Sequence, residues 1–244
     1  MRAVTLERVH EPRGTRRGVS EAGVLVRELT PVVARTLPWR ALAAGAALGL
    51  SLAWIPRLPG DGTAAWQSLT ILRTAALAYA LGLAFLLDDP ARHLTSTVPV
   101  RRALRTGLRL ALVTPLTVVW WTAVLLLIPS QVRPPWGAVT VEAAATCALA
   151  LAAGALAVRL TQEPRPGPSV AAALLFTGIV SPLLLPKSWA LFVWPQDKRW
   201  DTSHERWAWV LAGALTVLLL CLREPVRRLR PLRRGTGSSS PSGV

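Results

Sequence analysis

The sequence predicts an all-α membrane protein: a polytopic bundle of six transmembrane helices, both termini in the cytoplasm, with an amphipathic interfacial helix before the first span. Three observations predict it. The hydrophobic residues, 52% of the 244, fall in long blocks separated by arginine clusters, as membrane spans do and a soluble core does not. The basic residues, 28 against 13 acidic, lie unevenly between those blocks. Ten of the 11 tryptophans gather at alternate block ends, where an indole ring finds both an apolar bed and a hydrogen-bond acceptor.

Residues 1–37 precede the first block. Between Ser20 and Val33, the residues Ala22, Leu25, Val26, Leu29 and Val33 repeat at helical spacing, with Glu21, Arg27 and Glu28 off that face. This predicts an amphipathic helix on the inner interface. A secretory signal would begin near the start and end in a cleavable small-residue site, so no cleaved signal is expected.

Six blocks can then cross a hydrocarbon core, which takes roughly 20 residues at ~1.5 Å rise each. They run from Pro38 to Ile55, Thr63 to Leu87, Leu110 to Ile128, Trp136 to Val158, Pro168 to Leu185 and Trp207 to Leu222. A transmembrane domain over 38–222 follows, with a basic and then disordered cytoplasmic tail over 223–244. The strict alternation of barrel strands is absent, and helices are the open-ended elements that satisfy their own backbone in lipid.

Orientation comes from the arginines and lysines. With the N-terminus inside, the cytoplasmic set holds eight up to Arg40, five between Asp88 and Arg109, Arg159 and Arg165, and six from Arg223 onward, 21 in all. The opposite side holds six: Arg57, Arg133, Lys187, Lys198, Arg199 and Arg206. The excess marks the cytoplasmic side. The same layout puts Trp54, Trp66, Trp120, Trp121, Trp136, Trp189, Trp194, Trp200, Trp207 and Trp209 at or near the outer face and Trp39 at the inner one. Abundant Arg, Ala, Leu and Pro with two lysines point to a GC-rich bacterial genome and hence a bacterial plasma membrane. Basic charge gathered in the polar segments beside the apolar blocks fits anionic headgroups and argues against a nucleic-acid partner.

Two segments between spans have structure of their own. Asp88, Asp89 and Pro90 read as a helix start, and Arg101, Arg105 and Arg109 then share one stripe of a short basic cytoplasmic helix. Arg101, Arg102, Arg105 and Arg109 would meet anionic lipid or an acidic partner surface. The stretch from Lys187 to Arg206 is too polar to span, yet Trp189, Phe192, Val193 and Trp194 suit it to the outer interface.

Ionisable residues within spans are costly enough to be functional hypotheses by default. Arg73 lies roughly 10 Å inward of Trp66, and Glu142 roughly 9 Å inward of Trp136, at helical rise. Matching depth and opposite charge predict an intramembrane ion pair; the alternative is that each side chain snorkels to the outer interface. Gly45, Gly49 and Ala41 form a small-residue stripe suited to close helix contact, within the chain or between subunits. Pro115, Pro182 and Pro186 can kink or end helices. His10, His93 and His204 show no partner pattern and read as surface residues. Cys147 and Cys221 sit in apolar blocks without metal-ligand spacing, so neither a disulfide framework nor a metal site is expected. No P-loop, His-Glu-x-x-His or Gly-x-Ser-x-Gly motif occurs, so neither an enzyme nor a bound cofactor is expected.

The stretch Phe85-Leu-Leu-Asp-Asp-Pro-Ala91 followed by Pro99-Val-Arg-Arg-Ala-Leu-Arg105 is similar to actinobacterial membrane proteins labelled ABC transporter permeases. The layout as a whole resembles the permease subunit of a bacterial ABC exporter. That resemblance implies a homo- or heterodimer of permeases served by a separate ATP-binding subunit. It also implies an ATPase-coupling loop containing Asp88, Asp89, Arg101, Arg102 and Arg105. Two other classes stay open: a non-transporting scaffold or regulatory subunit, and a proton-coupled carrier using Glu142, which would commonly show an internal repeat that is not evident here.

Overall fold

The computed structural model describes residues 30–31, 33–58, 65–88, 102–161, 165–184, 186, 189 and 191–223. Most of the expected amphipathic helix, Asp89, Arg101, Lys187, the side chain of Arg102 and the tail after Arg223 lie outside the described residues.

Among the described residues, six long α-helices have defined bounds: α1 (Trp39–Trp54), α2 (Ala65–Ala84), α3 (Arg102–Leu127), α4 (Trp136–Leu160), α5 (Gly167–Leu184) and α6 (Trp200–Leu222). Proline marks several boundaries because its ring fixes φ and its nitrogen donates no hydrogen bond. Pro38 precedes α1, Pro56 lies in the 3-10 turn that ends it, Pro135 precedes α4, and Pro166 precedes α5. Pro115 and Pro182 sit inside α3 and α5, which continue past them.

Among the described residues, four helices are long and apolar enough to cross a membrane: Leu104–Leu127, Trp136–Leu160, Gly167–Leu184 and Trp200–Leu222. The other two differ from that type for separate reasons. α1 has 16 residues. α2 has 20, but they include Gln67, Ser68, Thr70, Arg73 and Thr74. α2 is also the central helix, packed against α1, α3, α4 and α5. Of these polar residues Ser68 is buried and Arg73 half-buried in those contacts, whereas Gln67, Thr70 and Thr74 are exposed.

Two helices depart from the sequence expectation. The short basic helix expected before Leu110 and the third span are one continuous helix of 26 residues. Only Gly107 interrupts the helix formers between them, and a single glycine is tolerated. α6 begins at Trp200, seven residues before the expected start at Trp207, because its polar first turns divide by face. Asp201, Thr202 and Glu205 are exposed, while Ser203 and Trp207 are buried.

The six helices alternate in direction. α1 and α2 are antiparallel, with Ala41 against Gly82, Gly45 against Ala78 and Gly49 against Ala75. α3 runs parallel to α1: Trp120 meets Gly49 and Ala46, and Arg57 meets Leu126 and Leu127. α4 runs parallel to α2, matching Glu142 with Arg73 and Gly154 with Leu87. α5 opposes α2, with Gly178 at Leu77 and Gly167 at Phe85. α6 follows α4, with His204 at Glu142 and Leu220 at Arg159.

The Gly45 and Gly49 stripe is therefore a contact within the chain. A Cβ on Gly45 would stand 2.6 Å from the carbonyl oxygen of Ala78, and one on Gly82 would stand 2.8 Å from that of Ala41. Hydrogen at these positions lets the two backbones touch, as small residues do in membrane helix pairs. The main core joins α1 to α4 through Leu42, Leu69, Leu72, Leu83, Trp120, Val124 and Val139, and a smaller alanine-rich cluster fastens α6 to α4.

Tryptophans populate one end of the bundle, but in two roles. Trp54, Trp66, Trp136, Trp189 and Trp194 are exposed there, as interface anchors are, while the exposed Trp209 stands further along α6. Trp120, Trp121 and Trp207 are buried. Trp120 stacks on Tyr79 and donates to the Ala46 carbonyl at 3.0 Å, and Trp121 donates to the Thr140 hydroxyl at 3.1 Å. At this same end, Arg57 donates to the carbonyls of Leu126 and Leu127, and Arg133 to that of Ile128. Both arginines thus satisfy the orphan carbonyls and the negative end of the α3 dipole.

Candidate functional site

The tryptophan-rich end also holds a buried charge cluster built from three helices. α2 and α4 run parallel at matched depth, which brings Arg73 and Glu142 face to face. Arg73 Nε donates to Glu142 Oε2 at 2.6 Å, and Nη2 donates to Oε1 at 2.7 Å. This two-pronged geometry is the strongest arrangement a guanidinium and a carboxylate make. The Glu142 side chain is 4% exposed and that of Arg73 15%. Neither side chain snorkels away.

The segment between α5 and α6 closes over this pair. Val193 is buried, and its carbonyl accepts from Arg73 Nη2 at 3.2 Å. The Phe192 ring lies 5.4 Å from the guanidinium carbon, within cation–π range. The first residue of the segment is anchored twice on α6, with Ser203 Oγ donating to the Leu191 carbonyl at 2.7 Å and Trp207 Nε1 at 3.0 Å. Trp194 meets Trp66 edge to face. Of the residues expected at the outer interface, Trp189 and Trp194 are exposed, whereas Val193 is buried in the bundle.

His204 is the residue that sequence reasoning missed. It is no surface histidine: its side chain is 12% exposed, and Nε2 lies 3.0 Å from Glu142 Oε1. That distance is an ion-pair distance for a protonated ring, although Nε2 makes no aligned hydrogen bond. Nδ1 lies 2.8 Å from the Trp200 carbonyl, and the ring packs on Trp200. A signal was present in the spacing: Trp200, His204, Trp207 and Leu211 recur at the interval of one helix face.

The opposite end carries a second set of the expected residues. Asp88, just beyond α2, accepts the Gly167 N–H on Oδ1 at 2.8 Å and so caps α5. Gly167 makes room for it, since a Cβ there would lie 2.7 Å from Asp88 Oδ2. Arg109 is buried and donates to the carbonyls of Leu86 and Asp88, both at 3.2 Å. Arg105, one turn away, is half-buried. Asp88 and Arg109 thus fix the turn after α2 to α3 and α5, which sets them apart from a free basic surface.

Burial pushes the Asp88 carboxyl above its ordinary pKa of 3.8, against the lowering effects of the Gly167 N–H and of Arg165 and Arg109. A raised folded value means that the native state holds the proton more tightly than the unfolded chain. Asp88 therefore favours folding most below its ordinary pKa, and that contribution declines as pH rises through the raised value. Asp88→Asn keeps the acceptor, removes the charge and is expected to be neutral or mildly stabilising at pH 7. Asp88→Ala loses the cap and is expected to cost about 0.5–2 kcal/mol. Unfolding of both variants in lipid–detergent micelles checks this, and equal destabilisation would contradict the cap. In the exposed connection before α6, Arg199 hydrogen bonds hold the Asp197 carboxyl down at about 2.

Among the described residues no group of His, Cys, Asp and Glu could hold a metal ion. No protein-family model, curated protein or solved structure matches the chain.

Proposed function

We propose that the chain is the membrane-spanning permease subunit of an ABC transporter, crossing a bacterial plasma membrane six times with both termini in the cytoplasm. The observation that carries the layout is the alternation of six helices at common depth. α1 and α2, which fall short of the ordinary length or apolarity of a span, lie side by side with helices that meet both. The steep arginine asymmetry supports the orientation. The inward-folded 191–194 segment between α5 and α6 and the basic start of α3 match the layout of the exporter permeases that the chain resembles. ATP binding and hydrolysis in a separate subunit would then bias the bundle between two states through the turn from α2 to α3.

One observation favours the scaffold reading instead. The buried charges of α2 and α4 are occupied by partners within the chain, which suits a rigid frame. Purification from native membranes separates the two readings. A permease is expected to bring down a P-loop ATPase whose hydrolysis it stimulates, and Arg101→Glu with Arg105→Glu is expected to abolish that stimulation while leaving the fold intact. Purification free of any ATPase would point to the scaffold.

A further inference from the structure

We propose that Arg73, Glu142 and His204 form a proton-binding site, and that the bound proton latches α6 and the 191–194 segment onto α4. The tautomer of His204 carries the inference. A carbonyl oxygen only accepts, so the 2.8 Å contact with Trp200 requires the hydrogen on Nδ1. A neutral ring would then leave Nε2 without a hydrogen 3.0 Å from Glu142 Oε1, off the axis of an aligned hydrogen bond. Two acceptors at that distance repel unless a hydrogen stands between them. A proton at this position converts the repulsion into a contact of imidazolium with carboxylate.

The surroundings suit one proton and no more. Glu142 from α4 meets His204 through Oε1, and Arg73 from α2 donates to both oxygens of the same carboxylate, Oε1 included. Segment 191–194 contributes apolar side chains and backbone carbonyls. On the histidine's own helix, Asp201 and Glu205 are exposed. The carboxylate offers about four lone-pair sites, of which Arg73 uses two. The proton comes from the aqueous phase at the tryptophan-rich end and returns there; no covalent bond between heavy atoms and no electron moves. Whether it rests nearer nitrogen or oxygen, it is one titration of the pair.

Its mechanical consequence runs through α6. Ser203 and Trp207, on either side of His204 in sequence, hold the Leu191 carbonyl, and so the start of the segment that covers Arg73. With the proton bound, α6 is pinned to α4 and the segment stays down. Its loss leaves the repelling pair, and the segment lifts.

Two measurements on the full chain in nanodiscs test this. In the first, His10→Gln and His93→Gln leave His204 as the one histidine for 15N NMR. The expected result is hydrogen on both ring nitrogens at low pH and on Nδ1 alone at high pH, with the change between about pH 5 and 8. A neutral ring protonated on Nε2, or one that does not titrate in that window, overturns the proposal. In the second, Val193→Cys is labelled with a membrane-impermeant thiol reagent, the unsubstituted chain serving as blank. After division by the same variant carrying His204→Gln, the rate is expected to rise about tenfold from pH 5 to pH 8. A flat ratio overturns the latch.

Discussion

Glu142→Ala is expected to destabilise the bundle by about 3–5 kcal/mol, the cost of leaving a buried charge without its partner. Arg73 would keep the Val193 carbonyl and the Phe192 face, and neither neutralises it. A guanidinium cannot shed its proton. Arg73→Met is expected to cost less, because the abandoned Glu142 can take up a proton and still meet His204. The double variant Arg73→Met with Glu142→Leu is expected to recover much of the loss, since apolar replacement of a buried pair is often neutral. Reversible unfolding in lipid–detergent micelles of the parent chain, Arg73→Met, Glu142→Leu and the double variant gives the four corners of the cycle. Simple additivity of the two single effects would mean that the pair contributes no coupling. Exchanging the charges, Arg73→Glu with Glu142→Arg, is expected to restore part of what either reversal removes.

Gly45→Leu is expected to be comparably damaging for a steric reason. The first carbon added would stand 2.6 Å from the Ala78 carbonyl oxygen and 3.3 Å from the Tyr79 Cα. Both are backbone atoms that cannot rotate away. Separating α1 from α2 would also draw Ala46 from the Trp120 indole and loosen the Trp120 stack on Tyr79. A cost of about 3 kcal/mol, the upper range for overpacking, or failure to accumulate in the membrane is the expected outcome. Gly213→Ala is the control: nothing lies within 4 Å of its added carbon, and helix propensity alone predicts no loss and a gain of up to about 1 kcal/mol. Equal tolerance at both sites would contradict the close α1–α2 contact.

The legible parts of this fold are those written in periodicity and depth. The bounds of α1, α4 and α5 fall within two residues of the apolar blocks. Arg73 and Glu142 could be matched because helical rise converts residue number into depth. What stayed hidden depends on rotation about the helix axis and on tertiary neighbours. His204 lies in a polar stretch, and only its face in the folded helix separates it from the exposed Asp201 and Glu205. Trp120, Trp121 and Trp207 sit at the expected end, yet their burial is set by Tyr79, Thr140 and Leu191 on other elements. Asp88 looked like the beginning of a cytoplasmic helix, and its partner Gly167 is 79 residues further on.

That separation in sequence bears on how the bundle is made. Arg73 and Glu142 are 69 residues apart, so at about 5–20 residues per second of synthesis the arginine waits roughly 3 to 14 seconds for its carboxylate. On the six-crossing layout, α2 alone must meanwhile bear an insertion penalty of up to about 2.5–3.5 kcal/mol for that charge. The partners of the guanidinium, Glu142, Val193 and Phe192, all come later in the chain than α1 and α2. The second helix is thus expected to linger beside the insertion machinery, half released, until the fourth arrives, and a biogenesis assay that arrests the ribosome between the two would find it there.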